Sequence, residues 1–315
     1  MEILDLRQFG SADLRPLVEE EIETWRSILH WDYRCLAEMI LRYTDSRILP
    51  GVAATEDGRV HGYCFFLAEG AKGGIGDLFV GDTCSTHKRR HEIELELLRH
   101  GIDRLRESTG LCRAESQLLL HPTNHLAAPF LDAGFRRYRR VFFSRPVRGT
   151  SEPLRLLAPE IEVRRWAEED YETTANIIAV SYRGHVDCDV GDQYRTIEGA
   201  LGFMENIVRF PTCGVFDSSA SFLAFHRPTG TPISALLCSR LRHDIGHITQ
   251  ICTLPEYRSH GIGEQLLHYC YADLAARRFT ELSLTVTEEN HRAVALYRRL
   301  GFQQLHTFDA FVWEA

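Results

Sequence analysis

An internal repeat constrains the fold of this 315-residue chain more than any other feature of its sequence. Residues 124–135 and 290–302 both begin with Asn-His, carry an aromatic residue at helical spacing and close on Gly-Phe. Each copy follows an apolar stretch typical of a strand. The copies lie about half a chain apart, so the sequence predicts two domains that share one fold.

A segment rich in proline, glycine and serine separates the two halves. It contains Pro146, Gly149, Pro153 and Pro159, a composition typical of linkers and exposed crossovers. We therefore expect a first domain over residues 1–148, a linker over 149–160 and a second domain over 161–315.

The second half alternates between strand and helix patterns. Alternating polarity predicts strands, and apolar residues three and four positions apart predict helices. The predicted strands are 161–165, 221–225, 233–241, 246–254, 282–286 and 302–313. The predicted helices are 168–180, 262–277 and 293–300, with one or two short helices before residue 210. The pattern indicates a mixed α/β domain, which the first half repeats more loosely.

Composition and charge exclude several classes of partner. The formal net charge is −8 and the pI is near 6.0, which disfavours nonspecific binding to nucleic acid and to anionic membranes. The nine cysteines are spread evenly, form no CxxC pair and are odd in number. We therefore expect reduced thiols and a cytoplasmic location. No signal peptide and no apolar run of about 18 residues is visible.

The stretch that carries chemistry joins the strand at 246–254 to the helix at 262–277. Between them the sequence reads Arg-Ser-His-Gly-Ile-Gly, from Arg258 to Gly263. Glycines allow close approach of the backbone, and a helix N-terminus attracts anions, so the segment predicts a pyrophosphate cradle. A plain strand-to-helix turn is the alternative for this short match. A dinucleotide fingerprint is disfavoured because Leu266 stands where the third glycine would be.

This loop, followed by Asn290, Ala293, Tyr297 and Gly301-Phe302, resembles the GCN5-related N-acetyltransferase (GNAT) family. The resemblance is specific from Ile248 to Phe302 and looser over residues 161–315. It implies an α/β (α+β) fold with two tandem GNAT-like domains, each a mixed, mostly antiparallel sheet with helices on both faces. It also implies that acetyl-CoA is bound by Ile251, Cys252, Thr253, Arg258, Ser259, His260, Gly261, Ile262, Gly263 and Asn290.

The resemblance further implies direct transfer of the acyl group to an acceptor amine. Tyr297 is then expected to protonate the leaving thiolate, although a core aromatic is the alternative reading for this residue. Many relatives carry a carboxylate base on the strand before the loop, where this chain has Thr249 and Gln250. Candidate residues on the acceptor side are Tyr182, Asp187, Asp189, Asp192, Tyr194, His247 and Gln250. The acidic run among them could equally be a solvated loop.

The first half resembles a degenerate copy of the same domain. Aligning Leu97-Leu98 with Leu266-Leu267 places Glu92 and Glu94 opposite Gly261 and Gly263. Carboxylates at these positions would repel a pyrophosphate. Phe130 likewise stands opposite Tyr297, so the proton donor is missing. We expect this domain to be structural or to shape the acceptor side.

Histidine pairs at i, i+4 spacing raise the question of a metal. They are His87/His91, His121/His125 and His243/His247. None matches the H-E-x-x-H pattern, and Pro122 and Gly246 interrupt the helices that two of the pairs would need. We therefore expect no metal.

The sequence favours a cytosolic N-acetyltransferase that uses acetyl-CoA and a small-molecule or peptide amine. A non-catalytic acyl-CoA sensor or scaffold is the alternative, because the strand carboxylate is missing. Aminoacyl transfer from charged tRNA is a rival within the fold, and the net charge of −8 disfavours it.

Overall fold

The structure is a computed structural model, and it describes residues 1–82, 86–148, 158–210 and 213–315. Most of the expected linker, residues 149–157, lies outside the described residues. The chain divides into two compact units. Unit 1 comprises Met1–Arg140 and His306–Ala315, and unit 2 comprises Val141–Leu305.

Strands and helices are numbered in chain order. The strands are β1 (Glu2–Asp5), β2 (Gly51–Glu56), β3 (Arg59–Glu69), β4 (Lys72–Val80), β5 (Arg113–Gln117), β6 (Arg136–Pro146), β7 (Ile161–Arg165), β8 (Val215–Phe216), β9 (Phe222–His226), β10 (Thr231–Arg242), β11 (Ile245–Thr253), β12 (Glu281–Thr287) and β13 (Gln303–Glu314). The α-helices are α1 (Ser11–Leu29), α2 (Arg34–Asp45), α3 (His87–Arg106), α4 (Ala127–Asp132), α5 (Tyr171–Ser181), α6 (Asp187–Val190), α7 (Ile197–Val208), α8 (Ile262–Ala276) and α9 (His291–Arg299).

Unit 1 is built on a sheet with the strand order β1-β2-β3-β4-β5-β13. Neighbouring strands are antiparallel, except for the parallel pair β4 and β5. Successive strand residues face opposite sides of a sheet. Tyr63 of β3 therefore points to α1, where it bonds to Glu21, while Cys64 packs against α3. Helices thus cover both faces of the sheet.

Unit 2 repeats this plan with the strand order β6-β12-β11-β10-β9-β7, and β8 also pairs with β10. Here the parallel pair is β11 and β12, whereas β10 is antiparallel to β11 and to β9. Leu236 and Cys238 of β10 pack with α8 on one face. Ala235 and Leu237 pack with α5 and α7 on the other. The expected mixed sheet with helices on both faces is confirmed.

Each unit completes its sheet with a strand from a distant part of the chain. In unit 1, residues 310–314 of β13 pair with residues 113–117 of β5. In unit 2, β6 lies next to β12, and Ser144 Oγ donates to Glu281 Oε1 at 2.6 Å. The units therefore differ from the domain bounds expected above, because residues 141–148 belong to unit 2 and residues 306–315 to unit 1.

The other strands and helices predicted for the second half are confirmed within two residues. The short strand β8 was not predicted, and the stretch before residue 210 holds α6, a 3₁₀ turn and α7. The helix expected at 168–180 forms as a single 3₁₀ turn, Glu168–Asp170, followed by α5. Helix α9 begins earlier than predicted because the Asn290 side chain caps it, accepting the Ala293 N–H at 3.2 Å. It ends before Gly301, whose φ of 80° suits glycine.

No disulfide joins the cysteines that the structure describes. Among the described helices, none combines the length and the apolarity needed to cross a bilayer.

Candidate functional site

Two parallel strands of unit 2 separate partway along their length. β11 pairs with β12 only from Ile245 to Ile248, opposite residues 281–284. Beyond this point β11 continues to Thr253 alongside β10 alone, with an irregularity in the β10–β11 register next to Ile248. Bulges bend a strand and increase its twist. The edge of residues 249–253 that faces β12 is therefore left without a strand partner.

A cavity of about 540 Å³ opens at this separation, within the range usual for small-molecule sites. Its lining includes most of the residues predicted for the cofactor, namely Ile251, Cys252, Thr253, Arg258, Ser259, Gly261, Ile262, Gly263 and Asn290. Tyr297 and Tyr182 also line it. His260, by contrast, is exposed and does not line the cavity.

The loop before α8 is held in a conformation that presents its backbone to the cavity. Ser259 and Gly261 have φ values of 69° and 80°, in the left-handed region that glycine adopts at little cost. The Arg258 guanidinium donates to the carbonyl oxygens of Thr253, at 3.1 Å, and Ser181. Arg258 therefore fastens the loop to its surroundings through backbone oxygens.

The first backbone N–H groups of α8 lie next to this loop. Gln265 N–H bonds to Gly261 O at 3.0 Å and is the first to be satisfied within the helix, so the three preceding N–H groups have no helical acceptor. A Cβ on Gly263 would lie 3.8 Å from Ile251 Cδ1 and 3.9 Å from Thr253 Oγ1. A methyl group therefore fits there, but a longer side chain would occupy the cavity. This geometry suits an anion such as a pyrophosphate.

Two arginines of α9 add positive charge to the lining. Arg292 Nη2 donates to Ser259 Oγ at 2.6 Å, and Arg299 Nη2 donates to Glu264 Oε2 at 2.7 Å. The sequence analysis missed both. Their signal was present, because residues seven apart on a helix share one face, and Arg292 and Arg299 share theirs with the lining residue Leu296.

Tyr297 combines burial with access to the cavity. It is 6% exposed and packs against Phe143 and Phe302, yet it lines the cavity. Its hydroxyl forms no hydrogen bond with any residue that the structure describes. Burial, and then the Asp187 charge, raise the pKa of Tyr297. The phenol is therefore protonated at neutral pH.

Asp187 is the member of the acidic run that acts on the cavity. Its carboxylate accepts a hydrogen bond from the Thr287 hydroxyl, and its backbone N–H donates to His185 Nδ1 at 3.1 Å. Its charge also adds to burial in raising the pKa of Tyr182. Asp187 itself does not line the cavity, but His185 does. The sequence analysis missed His185 although it stands two residues before Asp187.

The other acceptor-side candidates lie away from the lining. Tyr194 stacks on Tyr182 with ring centroids 4.6 Å apart, while Asp189 is exposed 3.8 Å from Arg195. Asp192 begins a separate 3₁₀ turn. None of the three lines the cavity.

The expectation that His247 serves the acceptor side is not supported. It lies in the middle of β11, is 6% exposed and stacks on Phe142. Its Nδ1 lies 2.9 Å from Ser283 Oγ. Burial lowers the pKa of His247 to about 4, so the ring is neutral at pH 7. It points into the sheet packing, and the cavity begins further along β11.

Gln250 lies beside the cavity, and its side-chain oxygen accepts a hydrogen bond from the Ile251 N–H. Amide directions alternate along a strand, and Leu254 N–H bonds to Ile233 O of β10 at 2.9 Å. The Ile251 N–H therefore points to the unpaired edge, where it donates to Gln250 Oε1 at 3.0 Å. The same oxygen accepts from Tyr182 Oη at 2.6 Å. Gln250 Nε2 is buried and has no hydrogen-bond partner among the described residues.

Comparison with known proteins places these features in a family. The model of the Acetyltransferase (GNAT) family matches residues 194–302, which hold the loop, Asn290 and Tyr297. No curated protein matches the chain at a significant level.

Solved structures resemble the chain over nearly its full length. A GCN5-related N-acetyltransferase from Sphaerobacter thermophilus is 17% identical with a TM-score of 0.69, covering 99% of this chain and 95% of that one. A tandem GNAT protein from the clavulanic acid biosynthesis pathway is 12% identical with a TM-score of 0.61, covering 99% and 98%. The chain therefore has the tandem GNAT fold, and its residues 194–302 match the model of the GNAT acetyltransferase family.

Proposed function

We propose that unit 2 is an acetyl-CoA-dependent N-acetyltransferase acting by direct attack of an acceptor amine. The main support for this proposal is the cavity at the point where β11 separates from β12. It brings together a glycine-containing loop, a helix N-terminus with free N–H groups and the protonated phenol of Tyr297. When bound, acetyl-CoA supplies an acyl group activated as a thioester.

The loop and α8 hold the phosphate end of the cosubstrate. The free N–H groups at the start of α8 and the positive helix end favour the pyrophosphate. Arg292 and Arg299 stand at the same rim and offer charge to further phosphate oxygens. Glu264 is already paired with Arg299, which limits its repulsion of a phosphate.

The unpaired edge of β11 receives the thioester end. The Ile251 N–H that faces this edge donates to Gln250 Oε1. We propose that the thioester carbonyl oxygen replaces the Gln250 oxygen on this amide. The N–H then stabilises the negative charge that develops on the carbonyl oxygen during attack.

Tyr297 supplies the proton for the leaving group. As the new N–C bond forms and the C–S bond breaks, the sulfur takes the phenolic proton. Burial raises the pKa of the Cys252 thiol to about 12 at the same cavity. A thiolate formed there is therefore more basic than it is in water, which favours its protonation. The same shift keeps Cys252 as a thiol, which disfavours a covalent acyl-cysteine step.

Among the described residues that line the cavity, no side chain takes the place of the carboxylate base. His247 is buried away from the cavity, and the Nδ1 lone pair of His185 accepts the Asp187 N–H. The Asp187 charge favours a cationic amine near Tyr182 and Tyr297. We propose that the amine loses its proton to water before or during attack.

A turnover assay with a panel of primary amines and acetyl-CoA tests the proposal. We expect at least one amine to give acetylated product together with stoichiometric free CoA thiol. Tyr297→Phe should lower the rate of product formation and the rate of thiol release by the same factor. If acetyl-CoA binds but no amine is acetylated, the chain is a non-catalytic acyl-CoA sensor and the proposal is wrong.

A further inference from the structure

A cluster of histidines surrounds a buried carboxylate in unit 1. Glu94 of α3 is 2% exposed. Its Oε2 lies 2.6 Å from His125 Nε2 and 3.5 Å from His91 Nδ1. His91 is one helical turn before Glu94 on α3, and His125 comes from the loop before α4. The three ligand atoms all lie within 4.8 Å of one another.

The side chains around the cluster orient it as a ligand set. Arg90 Nε lies 3.5 Å from the other oxygen of Glu94, which leaves Oε2 to the histidines. His121 Nε2 lies 2.9 Å from Leu78 O, and its Nδ1 lies 3.9 Å from Glu94 Oε1. A guanidinium on a carboxylate is a partner that commonly orients a metal ligand, and His121 stands behind Glu94 without being one of the proposed ligands.

One atom of the cluster has no hydrogen-bond partner. His91 Nδ1 is buried and forms no hydrogen bond with a described residue, although Glu94 lies nearby. A buried polar atom without a partner destabilises the fold. An ion bound between His91 and Glu94 would satisfy this atom.

We propose that His91, Glu94 and His125 bind a divalent transition-metal ion. Two imidazoles and one carboxylate are ligands that zinc and its first-row neighbours accept. Ligands about 2.1 Å from one ion lie at most roughly 4.2 Å apart, so small side-chain rotations bring this cluster to a coordinating geometry. His91 and His125 are partly exposed, with 39% and 32% of their side chains accessible, which leaves a path for entry and room for water ligands.

The repeat explains why the site belongs to unit 1. In the alignment of the two halves, Glu94 corresponds to Gly263, His91 to His260 and His125 to His291. Gly263 lines the cavity of unit 2. His260 and His291 are both exposed. A single change from glycine to glutamate thus supplies the carboxylate on which two histidines converge. The ion would fasten α3 to the loop before α4, where unit 2 keeps an open cosubstrate site.

The sequence expectation of no metal rested on each histidine pair taken alone. The cluster takes one histidine from the pair His87/His91 and one from His121/His125, with Glu94 between them. Such a set depends on tertiary contact, so i, i+4 spacing within a pair does not reveal it.

Metal titration of the full chain tests this inference. After removal of bound metal with a chelator, Zn²⁺ is titrated by calorimetry in competition with a weaker chelator. We expect one tight ion per chain, and loss of affinity by about 10²-fold or more in Glu94→Gln and in His91→Gln. His87→Gln, an exposed histidine at the start of α3, is the matched control and should bind like wild type.

Two further measurements separate this site from adventitious binding. Zn²⁺ should raise the melting temperature of the wild type and of His87→Gln, but not of Glu94→Gln. The Co²⁺ complex should lack a thiolate charge-transfer band, because no cysteine is in the ligand set. Equal Zn²⁺ affinity in wild type and His91→Gln, or a thiolate band that persists in Glu94→Gln, would overturn the inference.

Discussion

The two copies of the repeat share a fold but differ at single residues that matter for function. Phe130 of unit 1 and Tyr297 of unit 2 occupy matching places, each packed edge-on against the phenylalanine that follows its helix, Phe135 or Phe302. Phe130 is fully buried and stacks on Phe311 at 4.0 Å. The fold therefore accepts phenylalanine here, and the hydroxyl of Tyr297 is not needed for packing.

This comparison makes Tyr297→Phe a conservative variant. We expect it to lower kcat by about 10²- to 10⁴-fold, because it removes the proposed proton donor for the thiolate. The dissociation constant of CoA and the melting temperature should stay close to those of the wild type. Steady-state kinetics with the best amine from the panel, together with calorimetry, check this. An unchanged kcat would leave Tyr297 as a core aromatic only.

The residues of the cofactor loop could be predicted from the sequence because they are contiguous. Their spacing to Asn290 and Tyr297 is equally visible in one dimension. The environment of His247 could not be predicted in this way. Its position in the sequence, before the loop, does not indicate that its ring stacks on Phe142. His185 reaches the cavity through tertiary packing, which the sequence pattern does not contain.

At the scale of elements, α1 and two strands of unit 1 bury a pair of carboxyl groups. Glu21 of α1 and Asp77 of β4 are both buried. The hydroxyl of Tyr63 donates to Glu21, and that of Tyr33 donates to Asp77. Burial, followed by the charge of Asp77 and a hydrogen bond to it, raises the pKa of Glu21 well above its usual value of 4.5. The pair therefore keeps a proton in the folded protein.

This proton makes the stability of unit 1 dependent on pH. The folded state holds it at pH values where an unfolded Glu21 is ionised, so the stabilisation is complete below about pH 4.5 and is lost as the pH rises. Glu21→Gln should therefore reduce the difference in unfolding free energy between pH 5 and pH 8. Urea unfolding at both values measures this. Glu19→Gln, exposed on the same helix, should keep the wild-type difference, and an unchanged difference in Glu21→Gln would contradict the account.

The positions of strands and helices could be predicted because they depend on local sequence patterns. The pairing of strands could not, because it depends on distant residues. The alternation of residues 302–313 predicted a strand, and β13 confirms it. Its pairing with β5 of unit 1 joins residues far apart in the sequence, so no local pattern could assign it. The separation of β11 from β12 likewise depends on which strands pair, so no local pattern predicts it.

At the scale of the whole molecule, one fold occurs twice and the two copies differ in what they can bind. Unit 2 keeps glycines and an open cavity at the strand separation. At the matching place unit 1 has Glu94, surrounded by histidines. Loss of the glycines and of the tyrosine removes the features that hold and use a thioester cosubstrate. We therefore expect each chain to bind one acyl-CoA, in unit 2.

Calorimetric titration of the full chain with acetyl-CoA tests that claim most directly. We expect one site per chain, and no measurable binding in Gly261→Glu, because that change strains a residue with φ of 80° and puts a carboxylate at the proposed pyrophosphate site. The matched control is Gly230→Glu, which adds the same charge at a φ of 66° with nothing within 4 Å, and it should bind like wild type. Two equivalent sites in the wild type, or wild-type affinity in Gly261→Glu, would contradict the account.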